Sequence, residues 1–202
     1  MNTFLIFFFV FGIFAWCIWK LLNYTRNTIG ENSPLKVVRV YQIGEWQYFL
    51  KFENLVFYYM LVIGFLTAKA AFSILTSDIN LALTRILIFI FGLIPMAGSV
   101  FYFVLDFNHW ENIRNVILTT NPVAHELELT FPHGTLLLRD GDLEKVVITY
   151  NEAKLRFSYI TYYLKDGRQF TLSDRMPGIE VIQEYFRKIP TEYCKKGFLY
   201  IK

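Results

Sequence analysis

Residues 86–114 read ILIFIFGLIPMAGSVFYFVLDFNHWENIR. The first twenty of them, 86–105, carry no charge, and at 1.5 Å per residue they make a helix of about 30 Å, the thickness of a bilayer's hydrocarbon. From Asp106 the character changes within one turn: Asn108, His109, Glu111, Asn112 and Arg114 follow. A helix apolar on every side has no face for water, so the stretch predicts a membrane crossing that ends at a water boundary near 106.

Two earlier runs, 4–22 and 55–75, have the same character. The expected fold class is therefore membrane α-helical plus α+β. Three transmembrane helices (4–22, 55–75 and 86–105) with a loop at 23–54 form a membrane domain over 1–106, and a small domain occupies 107–202. Whole-chain composition, 54% hydrophobic and 19% aromatic, averages two parts suited to different solvents. The run 4–22 follows Met1-Asn2-Thr3 with no basic segment and precedes no small-residue cleavage site, so it reads as a retained span rather than a signal peptide. Cys17 in that span and Cys194 near the C-terminus fall on opposite sides of the membrane interface, which excludes a structural disulfide between them.

Loop charge sets the expected orientation. Lys20 near the end of the first run, then Arg26, Lys36, Arg39 and Lys51, precede the second, whereas the turn at 76–84 carries Asp78 and Arg85 only at its edge. Basic loops face the cytoplasm, so the N-terminus is expected outside and the C-terminal domain inside, at the inner (plasma) membrane. The net charge of +3, with acids and bases mixed, gives no footprint for nucleic acid. Within the first loop, 35–52 mixes Val37, Val38, Val40, Ile43, Trp46 and Tyr48 with Lys36, Arg39 and Lys51. It reads as an interfacial helix leading into the second span, the alternative being a strand at 37–41 that docks on the C-terminal domain.

Inside the spans, Gly64, Ala68 and Ala71 place small residues where another helix can approach closely. Lys69 is an intramembrane charge within snorkelling distance of the outer interface, read either as a functional pair or as a side chain reaching for water. Pro95, flanked by Gly92 and Gly98, cannot donate its backbone hydrogen bond and predicts a kink. Asp106 reads as a solvated residue at the end of the span, and His109 as part of an interfacial anchor with Trp110.

Beyond His125 the alternation of Leu127, Leu129 and Phe131 with Glu126, Glu128 and Thr130 predicts a strand, and the turn at 131–134 leads to a second at 135–138. A third strand is expected at 143–150, a fourth through 155–163, and a fifth at 169–172 after the hairpin turn Lys165-Asp166-Gly167. A helix at 179–189 carries Ile179, Ile182 and Ile189 on one side and needs a sheet to cover. The phrase Gly141-Asp142-Leu143-Glu144-Lys145-Val146, then 159–164, Lys165-Asp166-Gly167-Arg168 and the closing helix, resembles the bacterial PH-like domain family of small membrane-anchored proteins. The resemblance implies seven strands where five are legible, so the others would lie in 112–124 or in the first loop, or the sheet is abbreviated. It also invites a phosphoinositide reading, but the first hairpin turn offers only His133, so no phosphoinositide site is expected.

No chemistry-bearing motif appears: no nucleophile elbow, no phosphate loop, and His109, His125 and His133 without a metal-spaced partner. Catalytic, cofactor and metal residues are accordingly expected to be none. Two function classes follow. The chain is read as a membrane-tethered, non-enzymatic interaction or scaffolding module whose PH-like domain binds a protein partner or assembles subunits. The alternative is a small helical accessory or immunity-type protein that grips another membrane protein through the Gly64/Ala68/Ala71 face.

Overall fold

The structure, a computed structural model, describes residues 3–28, 30–73, 79–152, 157–186 and 188–201. In chain order the elements are α1 (Thr3–Thr28), β1 (Val40–Tyr41), α2 (Glu45–Phe49), α3 (Phe52–Ser73), α4 (Ile79–Ile113), β2 (Ile117–Asn121), β3 (Glu126–Phe131), β4 (Gly134–Leu138), β5 (Leu143–Tyr150), β6 (Ser158–Leu164), β7 (Gln169–Ser173), α5 (Ile179–Tyr185) and β8 (Thr191–Lys195).

Two of these helices are long and apolar enough to cross a membrane, over Phe52–Ser73 and Ala82–Ile113. Only 17% of the most apolar window of each is buried, so most of their apolar side chains face outward. The sequence suggests three such helices. The first, 4–22, lies in the 26-residue α1, where the side chains of 3–10 and 13, Cys17 among others, fall outside the described residues. Among the described residues the candidate crossings therefore number two.

α3 and α4 touch backbone to backbone. A Cβ built on Gly92 would sit 2.6 Å from the Ala68 nitrogen, and one on Gly64 would sit 2.7 Å from the Gly92 carbonyl oxygen. Ala68 and Ala71 are buried along the same contact. Pro95 lies within α4, which continues through it; one turn on, Ser99 Oγ donates to the Pro95 carbonyl at 2.8 Å. The turn at 74–78, with Asp78, lies outside the described residues.

The C-terminal part holds two four-stranded sheets. One runs β1-β2-β3-β4, antiparallel throughout; the other runs β7-β6-β5-β8, antiparallel except for the parallel pair β5–β8. Leu118, Leu127, Leu129 and Leu138 from the first sheet and Val146, Tyr162, Leu164 and Leu172 from the second bury against one another and against Ile182 of α5.

Several expectations change. The five expected strands become eight among the described residues, with β2 inside 112–124, β1 inside the first loop and β8 after α5. The preferred interfacial helix at 35–52 gives way to the alternative: Val40–Tyr41 pairs with Thr119 and Leu118 of β2, and only Glu45–Phe49 is helical. Thr120 enforces this by donating its backbone N–H to the Arg39 carbonyl and accepting the Arg39 N–H on its hydroxyl, both at 2.8 Å. The expected helix at 179–189 stops at Tyr185; Lys188 takes φ +73° and Pro190 follows, which turns the chain into β8. Finally, the boundary between 106 and 107 does not part the molecule, because α4 continues to Ile113 and carries Trp110 and Ile113 into the same core as the strands, where Ile43 and Tyr48 of the first loop also lie.

Candidate functional site

Where α3 and α4 meet the strands, polar side chains converge in a place that apolar sequence would be expected to fill. Asp106, on α4, is fully buried. Its Oδ1 accepts from Arg175 Nη1 at 2.5 Å and lies 2.9 Å from the Tyr48 hydroxyl, while its Oδ2 accepts from Asn54 Nδ2 at 3.2 Å. Asn54 is itself fully buried; its amide also donates to the Tyr48 carbonyl, and its Oδ1 accepts from the Tyr102 hydroxyl at 2.6 Å. Arg175 Nη2 returns to Tyr102 Oη at 3.0 Å and reaches Glu53 at 3.5 Å. The ring closes through five residues from the first loop, α3, α4 and the segment after β7.

The guanidinium is also boxed by aromatic faces, 4.5 Å from the Phe157 ring centre and 5.7 and 5.8 Å from those of Tyr102 and Tyr48. Burial opposes its charge, but the Asp106 carboxylate and the two phenols overcome that and move the Arg175 pKa upward. Burial, then the negative Asp106, push the Tyr48 phenol up, so it serves as a donor. A charge-assisted, fully hydrogen-bonded pair of this kind is the arrangement in which a buried ion pair can offset its own desolvation.

A second polar contact lies one turn along α4. His109 is fully buried; its Nδ1 lies 2.7 Å from Ser173 Oγ, and its Nε2 lies 3.0 Å from the Leu199 carbonyl. A carbonyl only accepts, so the ring carries its proton on Nε2 and takes the serine hydroxyl's hydrogen on Nδ1. Asn108 holds the same C-terminal segment by two bonds, donating to the Ile201 carbonyl at 3.0 Å and accepting its N–H at 2.8 Å. The expectations for both positions are corrected here: Asp106 is not solvated and His109 is not an exposed anchor, because the strands fold back over the end of α4. Beside Ser173, Asp174 accepts from the Ser158 hydroxyl, and burial pushes its carboxyl up.

A cleft of about 590 Å³ opens beside Arg175, lined by Gln42, Gln47, Lys51, Glu53, Asp174 and Met176 among others. Its cations and acids balance, and burial lowers the Lys51 pKa. The groups at the centre are engaged with one another, so the arrangement can hold helices and strands in one orientation.

The residues singled out in the sequence lie elsewhere. Gly64, Ala68 and Ala71 are brought together against Gly92 of α4. Lys69 projects outward from α3, away from that contact. Pro95 sits in α4 near Gly64, its ring 3.1 Å from where a Cβ there would lie. Sequence patterning singles out neither Arg175 nor Tyr102, and Tyr48 only as one member of the 35–52 segment; the one signal available is a pair of polar side chains, Asn54 and Asp106, at the ends of apolar runs. Compared with protein-family models, with curated proteins and with solved structures, the chain matches none.

Proposed function

We propose that the protein is a membrane-tethered, non-enzymatic interaction module whose C-terminal β-rich head, PH-like in its sequence phrases, binds a protein partner at the cytoplasmic face of the inner membrane. α3, α4 and, by its sequence, α1 cross the bilayer, with the N-terminus outside. The observation that carries this reading is the buried Arg175–Asp106 pair with its Tyr48, Asn54 and Tyr102 ring. A head that merely hung from an anchor would need only a linker; here the first loop, both helices and the strand region share one polar node. Such a joint fixes how a head faces the membrane, which suits presentation of a surface to a membrane-bound partner. The accessory reading loses its favoured surface, since Gly64 and Ala68 pack on α4 within the chain.

The test combines topology with capture. Carbonate washing should leave the chain in the membrane, and protease should digest the head in inverted vesicles but not from outside intact cells. A photo-crosslinking residue at Val123 or Tyr193, which are 95% and 71% exposed, should trap one discrete protein. Adducts obtained only from helix positions, or a head cleaved from outside, would reverse the reading.

A further inference from the structure

A groove of about 670 Å³ runs along the outer side of α4, where Val100, Phe103 and Val104 line it together with Tyr58 of α3, Tyr200 of the C-terminal segment and, at its far end, Glu111. From Val100 to Glu111 is about 16 Å of helix, roughly the depth of one leaflet's hydrocarbon. The lining is graded along that length. The end within 86–105 is aliphatic and aromatic, the two phenols stand alongside, and the end beyond Asp106 adds Phe107 and the Asn108 amide to the Glu111 carboxylate. Among the described residues no Lys or Arg lines the groove. The Tyr58 and Tyr200 side chains are half exposed, and neither hydroxyl has a hydrogen-bond partner among the described residues. The cations nearest the joint, Lys51 and Arg175, line the other cleft.

We infer that this groove holds an acyl chain of an aminophospholipid, with its ammonium directed to Glu111 and its ester or phosphate oxygens accepting from Tyr58 and Tyr200. Each part of the lipid meets its match: methylenes against Val100, Phe103 and Val104, acceptor oxygens against phenol donors, and a cation against an exposed carboxylate in a lining that has no base among the described residues. An anionic headgroup would bring its charge to Glu111 and is disfavoured. This rests on the membrane reading above.

The test uses the full chain, purified in mild detergent with equal amounts of phosphatidylethanolamine and phosphatidylglycerol, and read by native mass spectrometry. The chain should retain phosphatidylethanolamine over phosphatidylglycerol by about fivefold, the order expected of one partly exposed ion pair. Glu111→Gln should bring the ratio close to one. Val104→Trp, which fills the groove, should remove retained lipid of either kind. Equal retention by the unaltered chain, or a ratio that Glu111→Gln leaves unchanged, overturns the inference. A chain released by carbonate washing overturns the membrane reading itself, whereas a carbonate-resistant chain with no headgroup preference overturns the groove alone.

Discussion

Asp106 and Arg175 are separated by 69 residues of sequence and by a 2.5 Å hydrogen bond in space. Neither is tolerable without the other, because a lone charge taken out of water costs several kcal/mol. Arg175→Met should therefore lower stability by about 3 kcal/mol or more by stranding the Asp106 carboxylate. Adding Asp106→Asn removes the stranded charge while keeping an amide that can still meet Tyr48 and Asn54. The double variant should then recover at least about 1 kcal/mol relative to the sum of the two single losses, the mark of residues that act as one unit. Denaturant unfolding of the four chains in one detergent measures this; strictly additive losses would mean that the pair is not coupled. In sequence, Asp106 reads as the solvated end of a span because it stands where the apolar run stops. Its partner lies in a turn after the seventh strand, and local patterning has no means of joining them.

Among the elements, the helix pair and the strands were legible to different degrees for physical reasons. Alternation at 126–131 follows from one more buried and one more exposed face, whereas 143–150 is bounded by its turn and bulges between Leu143 and Lys145 rather than alternating; both strands have the expected limits. β8 has no such signal: Thr191, Glu192, Tyr193 and Lys195 are all exposed, and the strand is held by its parallel ladder to β5 and by Lys145–Glu192 and Lys195–Glu152 pairs. β1 is two residues long, too short for any period. The contact of α3 with α4 was legible as a spacing of small residues, but Gly92, the partner side of the contact, reads in sequence only as a source of bending. Its role is to admit the other helix. Gly92→Leu should separate the helices, because the new side chain meets Ala68 and Gly64 backbone rather than a flexible tip. A loss of about 2 kcal/mol or more is expected, as for overpacking in a close-packed site. Gly98→Leu, where a Cβ meets nothing within 4 Å, should be tolerated. Equal losses for both, in thermal unfolding in detergent, would show that the crossing is not fixed at Gly92.

For the molecule as a whole, the division at 106/107 suggested by composition fails because solvent preference and folding unit are different things. α4 belongs to both parts: Gly92 packs on α3, while Trp110 and Ile113 lie in the core of the sheets. The C-terminal segment then closes the joint from the other side. Phe198 and Tyr200 are half exposed, whereas Leu199 and Ile201 are buried in a cluster with Tyr102, Leu105, Phe157 and Tyr159. That alternation is one of an extended chain laid on a helix, fastened by Asn108 and His109. If the segment locks the head to α4, the two buried positions should carry its stabilising effect and the two outward ones should not. Leu199→Ala should cost about 3 kcal/mol, the usual loss for truncating a fully buried leucine. Tyr200→Ala should stay within about 0.5 kcal/mol, as for a surface site. Removing 197–202 should cost more than Leu199→Ala, since the Asn108 and His109 hydrogen bonds go as well, and should split a single unfolding transition into an earlier loss of head packing and a later loss of helix. Near- and far-ultraviolet circular dichroism followed on one sample separates the two. Coincident transitions after the deletion would mean that the Arg175–Asp106 node alone is enough to make helices and head one cooperative body.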